Sequence, residues 1–119
     1  MSIELFDELD NKGNKTGRVL TRDEVFDQEL WHGVTHVFIV NSNKEILLQF
    51  RGPEKKLAPN CWDTSVAGHI SSGDSALVTA IREVEEEIGL RTTPEEYVLA
   101  GTMIEDFLAT TGKQHREFE

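Results

Sequence analysis

One segment dominates the pattern of this sequence, because between Ser75 and Gly89 the apolar residues recur with the period of an α-helix. At about 100° per residue these side chains fall on a single stripe, and a glycine follows where helices commonly end. The stripe consists of Leu77, Ala80, Ile81, Val84 and Ile88. The pattern therefore predicts one long amphipathic helix, and the rest of the chain must supply the surface that its apolar stripe covers.

The segments on both sides of this helix are rich in β-branched and aromatic residues and are separated by turn residues. The predicted strands cover residues 3–9, 17–20, 34–40, 45–50, 62–67 and 97–109, with a loop over residues 57–60 and a last strand that begins at residue 114. Thr21 and Glu24 form a capping-box pattern that predicts a short helix over Arg22–Gln28. Strands around one long helix indicate an α/β fold of the α+β type, in which the helix packs on a mixed sheet.

Composition limits the classes of function. The 119 residues form one domain, and 12 basic against 22 acidic side chains give a net charge of −10, which opposes binding to duplex nucleic acid. The single Cys61 cannot form an internal disulfide, and no apolar run approaches the roughly 20 residues that cross a bilayer. We therefore expect a cytoplasmic protein with no membrane segment, which can bind a polyphosphate only through a metal ion or a local basic pocket.

Three acidic residues share a second face of the long helix, since Glu83, Glu86 and Glu87 lie at positions i, i+3 and i+4. Such a run is often a solvated face, but here the like charges repel one another and occupy the last turns, where the helix dipole favours cations. A divalent cation would remove both costs, and Mg²⁺ binds carboxylate oxygens together with substrate phosphates. These three glutamates are the predicted ligands of Mg²⁺ or Mn²⁺.

The stretch from Gly68 to Leu90 resembles the Nudix box, whose pattern is Gly, five residues, Glu, seven residues, then Arg-Glu-aliphatic-any-Glu-Glu-any-Gly-aliphatic. The resemblance implies a metal-dependent hydrolase of diphosphates, with the box glutamates as metal ligands and Arg82 paired with a box Glu. Asp74 stands where the family has Glu, and it is either a shortened equivalent or, as we favour, the N-cap of the helix. Gly68 is interpreted as a point of close backbone approach at the site.

The stretch from Trp31 to His69 is similar to the branch of Nudix proteins that includes type I isopentenyl-diphosphate isomerase. That similarity implies His32 and His69 as site residues, and Glu117 or Glu119 as counterparts of the acidic residues on the isomerase's later strand. We therefore expect Glu117 or Glu119 to lie near the box glutamates, as a metal ligand or base. The isomerase has an acid/base Cys directly before its Gly-His pair, where this chain has Ala67, and a methyl group cannot transfer a proton. Hydrolysis is therefore the main hypothesis, and an isomerase-like protein is the alternative.

Three basic residues, Arg51, Lys55 and Lys56, follow the second predicted hairpin and are candidates for binding the substrate's phosphates. The resemblance also implies that a Nudix domain continues through another strand and helix, so residues 1–119 are expected to form a single Nudix domain truncated at its C-terminus. An exposed face would then be covered by a partner, and a homodimer is one such arrangement. A diphosphate-binding module without catalysis is the remaining alternative.

Overall fold

The computed structural model describes residues 3–55 and 58–119, so Lys56 and the first residue of the predicted 57–60 loop lie outside it. In chain order the elements are β1 (Leu5–Leu9), β2 (Lys15–Thr21), α1 (Arg22–Asp27), β3 (Trp31–Val37), β4 (Ile39–Val40), β5 (Ile46–Leu47), β6 (Gln49–Phe50), β7 (Trp62–Asp63), β8 (Val66–His69), α2 (Ala76–Ile88), a 3₁₀ turn (Pro94–Glu96), β9 (Ile104–Leu108) and β10 (Gln114–Phe118). The predicted mixed sheet with one main helix is confirmed. None of the described helices combines the length and the apolar character needed to cross a membrane.

The main sheet has the strand order β2-β1-β3-β10-β9, and β8 pairs with the second half of β3. Strand β3 runs antiparallel to β1 and β8 but parallel to β10, which makes the sheet mixed. Strand β10 lies between β3 and β9 and forms ladder pairs on both sides. Both backbone edges of the last strand therefore have partners, so β10 is not an edge strand of the sheet.

Several predicted strands have different limits in the structure, and the segments 34–40 and 45–50 are each divided into two short strands. The segment 62–67 divides into β7, which pairs with β6, and β8, which pairs with β3. Ser65 lies between them, where its hydroxyl donates to the carbonyl of Leu47 and accepts the N–H of Ile39. The segment 97–109 is strand only in β9, because its partner β10 is five residues long and none of the described strands pairs with residues 98–102.

Helix α2 is rotated slightly from the orientation that the apolar stripe predicts. Thr79, Ala80 and Val84 are buried, whereas Leu77 and Ile88 are exposed. Burial of Thr79 costs little because its hydroxyl donates to the carbonyl of Ser75 at 2.9 Å. The face of α2 toward the sheet is thus built from smaller side chains than the sequence predicts, which lets the helix approach β3 and β8 closely.

A second small core lies at the other end of the sheet. Phe6, Leu20 and Val25 form a buried cluster against which Phe26 and Leu30 pack. The predicted capping box is present at the start of α1, where the Thr21 hydroxyl accepts the N–H of Glu24 at 3.2 Å. This box orients α1 so that the ring of Phe26 reaches the sheet face opposite α2.

Candidate active site

The carboxylate of Glu83 lies directly against the backbone of Gly68, where α2 crosses β8. A Cβ atom at Gly68 would lie 2.6 Å from both Cγ and Cδ of Glu83, which is closer than any real contact. Glycine at this position therefore lets the helix bring its first acidic residue onto the strand, in agreement with the close approach that the sequence indicated.

The three box glutamates form an electrostatically coupled group. Burial raises the pKa of Glu83 above its ordinary value, and the charge of Glu86 raises it further. Partial desolvation also raises the pKa of Glu87, as do the charges of Glu83 and Asp63, while a backbone hydrogen bond from Ala67 opposes them. Like charges crowded in this way favour a counter-ion, and carboxylate oxygens are the ligands that Mg²⁺ and Mn²⁺ accept, so these residues fit a divalent cation.

Asp74 is an ion-pair partner of Arg82 rather than the N-cap of α2. The side chain of Ser75 accepts the N–H of Val78 and caps the helix, so the favoured prediction for Asp74 is wrong. The Asp74 carboxylate instead accepts from Nη1 of Arg82 at 2.8 Å, and this hydrogen bond raises the pKa of the guanidinium. The contact agrees with the alternative, in which Asp74 replaces the family's box Glu and pairs with the box Arg.

The basic residues after the second hairpin have different surroundings from one another. Arg51 forms an ion pair with Asp63, with 3.3 Å between Nη1 and Oδ2, and Asp63 also accepts the N–H of Thr64 at 2.7 Å. The charge of Asp63 also contributes to the raised pKa of Glu87. Lys55 is exposed on the following loop, and Lys56 lies outside the described residues.

The remaining candidates lie on the opposite face of the sheet. Along β8, Gly68 faces α2, so the next side chain, His69, points the other way. There its ring lies 5.5 Å from that of His32, and Nε2 of His32 is 3.5 Å from Oε1 of Glu117. Residues His32 and Glu117 are register partners in β3 and β10, which places Glu117 with the histidines and not beside the box glutamates, where we expected it.

The surroundings of the two histidines hold them in fixed positions. His32 is 1% exposed, its Nδ1 lies 3.1 Å from the carbonyl of Leu30, and its Nε2 has no hydrogen-bond partner among the residues that the structure describes. Phe6 stacks on both imidazole rings, and Phe26 meets both with its edge. Burial lowers the pKa of His69 to about 4, so its ring is neutral at pH 7 and has a free lone pair.

A carboxylate group adjoins the histidines on the same face. Oxygen atoms of Glu105, Glu117 and Glu119 lie within 4.8 Å of one another, and Nε2 of His36 is 3.0 Å from Oε2 of Glu119. Burial raises the pKa of Glu119 to about 7, where His36 opposes the shift and Glu105 adds to it. Glu105 was not predicted from the sequence, because its position opposite Glu117 depends on the register of β9 and β10, which no local pattern gives.

A mixed sheet with an acidic helix held against it defines this protein as a small α+β domain with a candidate metal site. The NUDIX domain family matches residues 30–117, and the chain therefore belongs to the Nudix family. Nudix hydrolase 3 of Arabidopsis thaliana is 38% identical over 114 residues, which cover 95% of this chain and 15% of that protein. An uncharacterized Nudix hydrolase of Clostridium acetobutylicum is 36% identical over 110 residues, covering 90% and 52% respectively.

Two further comparisons bear on the branch and the fold. The isopentenyl-diphosphate Delta-isomerase of Pectobacterium atrosepticum is 32% identical over 83 residues, covering 70% of this chain and 43% of that protein, which supports the resemblance to that branch. The crystal structure of DR0079 from Deinococcus radiodurans has the same fold, with a TM-score of 0.63 and 24% identity over 98% of this chain and 70% of that one. This chain spans about half, or less, of the length of these curated relatives.

Replacing Gly68 with Ala tests the contact with Glu83. The added methyl group must displace the Glu83 side chain, because the two would otherwise be 2.6 Å apart. We expect Mg²⁺ affinity, measured by isothermal titration calorimetry, to fall on the order of 10-fold, as when a residue that orients a metal ligand is lost. Gly33→Ala is the matched control, since the nearest atom to its methyl group would be Cδ1 of Ile70 at 3.2 Å, a contact that a small shift relieves. Equal affinity in both variants would contradict the assignment.

Replacing Glu87 with Gln tests the crowding of the box carboxylates. Since the pKa of Glu87 is raised above its ordinary value of 4.5, its contribution to stability is present below that pH and is lost as pH rises through the folded-state pKa. In metal-free buffer, Glu87→Gln should therefore raise the unfolding midpoint at about pH 8 and have little effect at about pH 4. Glu85→Gln, which removes a charge that pairs with Arg91, is the control. A pH-independent difference would show that repulsion is not the cause.

Proposed function

We propose that this domain hydrolyses a diphosphate linkage in small molecules, such as a nucleoside diphosphate linked to another group, and that the reaction depends on Mg²⁺ or Mn²⁺. The observation that carries the proposal is the coupled group of Glu83, Glu86 and Glu87. Burial and mutual repulsion raise the pKa values of Glu83 and Glu87 within this group. In a chain with a net charge of −10, a diphosphate can approach this surface only with a cation between the like charges. Membership of the Nudix family supports the same reaction class.

The box glutamates would hold the cation, and neighbouring residues keep them in place. That cation would supply charge neutralisation of the diphosphate and activation of a water molecule for attack on phosphorus. Gly68 allows Glu83 to lie on the strand, and the Asp74–Arg82 pair ties the loop before α2 to the turn that carries Glu83. These contacts fix the carboxylate oxygens before the substrate binds, which limits the reorganisation that binding requires.

Positive charge for the substrate would come from the second hairpin. Arg51 forms an ion pair with Asp63, whose charge acts on Glu87. The planar guanidinium group of an arginine can donate two parallel hydrogen bonds to a phosphate. Lys55 follows on the next loop, where its exposed side chain is a second candidate for binding a phosphate. In this arrangement Asp63 orients the guanidinium, and the terminal phosphate lies between Arg51 and the box glutamates.

Glu86→Gln and Glu87→Gln test the hydrolase directly, because each removes a charge at nearly constant shape. We expect phosphate release from a panel of diphosphates with Mg²⁺ to fall on the order of 100-fold in either variant, since a direct metal ligand matters at least as much as its outer-shell partners. Glu85→Gln, on a different face of α2 and paired with Arg91, should keep wild-type activity. Full activity of both box variants at limiting Mg²⁺ would contradict the assignment. Diphosphate binding without turnover in the wild type would favour a binding module.

An isomerase is the second candidate, favoured by the relative from Pectobacterium atrosepticum. The structure supplies one argument against it, since Ala67 is the register partner of His36 and presents a methyl group to the face where His36 contacts Glu119. No proton can be donated or accepted at that position. Incubation of the wild-type protein with isopentenyl diphosphate in deuterated water should therefore give no isomer and no deuterium incorporation. Detectable deuterium incorporation would contradict the proposed hydrolase and support the isomerase.

A further inference from the structure

We propose that Asp7 is a positioning residue for the candidate metal site. It holds the loop between β8 and α2 (residues 70–75, the pre-helix loop), and through that loop it fixes the position of the box glutamates. Asp7 lies on β1 and acts through other residues, not by binding the cation itself. The inference rests on the proposed function, because the site that Asp7 supports is the metal site of that reaction.

Both oxygen atoms of the Asp7 carboxylate accept hydrogen bonds from the pre-helix loop. Oδ1 accepts from the hydroxyl of Ser72 at 2.9 Å, and Oδ2 accepts the N–H of Gly73 at 3.2 Å and lies 3.5 Å from Nζ of Lys15. A backbone hydrogen bond runs beside them, in which the N–H of Ser72 donates to the carbonyl of Leu5 at 2.7 Å. The loop is therefore attached to β1, although 65 positions separate Asp7 from Ser72 in the sequence.

The Asp7 carboxylate is ionised at neutral pH, which strengthens these contacts. Burial acts to raise the pKa of Asp7, but the hydrogen bonds from Ser72 and Gly73 and the charge of Lys15 outweigh it, and the pKa is lowered. Hydrogen bonds to an ionised acceptor are roughly twice as strong as those between neutral groups. Lys15 is 64% exposed, so its ion pair contributes little by itself, and the hydrogen bonds to the loop are the contacts that matter.

The residues that Asp7 contacts form a turn that ends at Asp74. The N–H of Asp74 donates to the carbonyl of Ser71 at 3.0 Å, with Ser72 and Gly73 between them, and Gly73 has a φ of 86°. A positive φ at the second central position of a β-turn favours glycine. Asp7 therefore holds both central residues of the turn, and this fixes the place from which the side chain of Asp74 extends.

Asp74 connects the turn to the helix that carries the box glutamates. Its carboxylate accepts from Nη1 of Arg82 at 2.8 Å, and Arg82 directly precedes Glu83 in the middle of α2. The helix is thus tied to β1 through Asp7, the turn and Asp74, in addition to its packing on β8 at Gly68. Rotation of α2 about its axis would break the Arg82 contact and move Glu83 away from the strand. The Asp7 contacts consequently limit the movement of the metal ligands before a cation binds.

Replacing Asp7 with Asn in the full chain tests this role with two measurements. Asn has nearly the same shape but only one acceptor oxygen, so it cannot reproduce the hydrogen bonds in which each carboxylate oxygen accepts from the loop. We expect Mg²⁺ affinity, measured by isothermal titration calorimetry, to fall on the order of 10-fold, as when a residue that supports a metal ligand is lost. In metal-free buffer, nuclear magnetic resonance should show faster exchange of the Arg82 guanidinium protons with water.

Three further variants separate positioning from a general loss of charge or stability. Glu8→Gln is the matched control, because it removes a charge from the same strand, where Glu8 pairs with Arg18 of β2, and it should change neither measurement. Lys15→Met removes the exposed ion pair but leaves the hydrogen bonds of the loop, so Mg²⁺ affinity should stay close to that of the wild type. Ser72→Ala removes one donor to Asp7 and should lower Mg²⁺ affinity in the same direction. It replaces Asp7→Asn in the test if circular dichroism shows that Asp7→Asn unfolds the chain.

A double-mutant cycle with Asp74→Asn tests whether the two carboxylates act along one path. Asp74→Asn weakens the contact with Arg82, and residues of one hydrogen-bond network do not have additive effects. We therefore expect the double variant to bind Mg²⁺ about as weakly as the weaker of the two single variants. Two reductions in affinity that multiply would overturn the path through Asp74. Faster exchange at Arg82 with unchanged Mg²⁺ affinity would overturn the positioning itself, because Asp7 would then stabilise only the loop.

The failure of this proposal differs from the failure of the proposed function. Wild-type Mg²⁺ affinity and phosphate release in Asp7→Asn would overturn the positioning by Asp7 and leave the hydrolase intact. A wild-type chain that binds Mg²⁺ but releases no phosphate from any diphosphate would contradict the hydrolase, while the loss of Mg²⁺ affinity in Asp7→Asn would still support the positioning.

Discussion

The close packing of α2 on β8 at Gly68 is the contact on which the rest of the site depends. It places the Glu83 carboxylate where a Cβ atom would otherwise lie, and it partly desolvates the glutamates that follow on the helix. Small buried residues on the helix, Ala80 and Thr79, make the same approach possible along its length. An acidic helix that stood farther from the sheet would have solvated carboxylates with ordinary pKa values and little reason to bind a cation.

The two faces of the sheet divide the ionisable groups of the chain into two kinds of environment. On the α2 face, carboxylates crowd one another at the helix surface, and the pKa values of Glu83 and Glu87 rise. On the opposite face, burial keeps His69 neutral. Burial acts to raise the pKa of Glu117, but the contact with His32 opposes it and the pKa is lowered. Strand β8 contributes residues to both environments because its side chains alternate between the two faces. Gly68 and His69 therefore face opposite sides although they are adjacent in sequence.

The sequence predicted features that depend on local spacing and did not predict those that depend on strand register. Local spacing was sufficient to place Glu83, Glu86 and Glu87 on one helix and to predict the glycine at the end of α2 and the capping box at the start of α1. Asp63 reaches the neighbourhood of Glu87 only because β6 pairs with β7, and no local pattern marks a single acidic residue in so short a strand. The cap of α2 at Ser75 instead of Asp74 is a shift of one residue, which helix-start signals do not resolve when both residues are good caps.

The position of β10 explains why the second group of ionisable residues could not be located from the sequence. A terminal segment with strand composition can join either edge of a sheet or insert between two strands, and only insertion between β3 and β9 places Glu117 beside His32. Parallel pairing with β3 makes Glu117 and His32 neighbours although 85 residues of sequence separate them, as their numbers show. The antiparallel pairing with β9 adds Glu105 on the same face. The face opposite the box therefore gains its acidic residues from long-range pairing, and its chemistry depends on the topology of the whole sheet rather than on any motif.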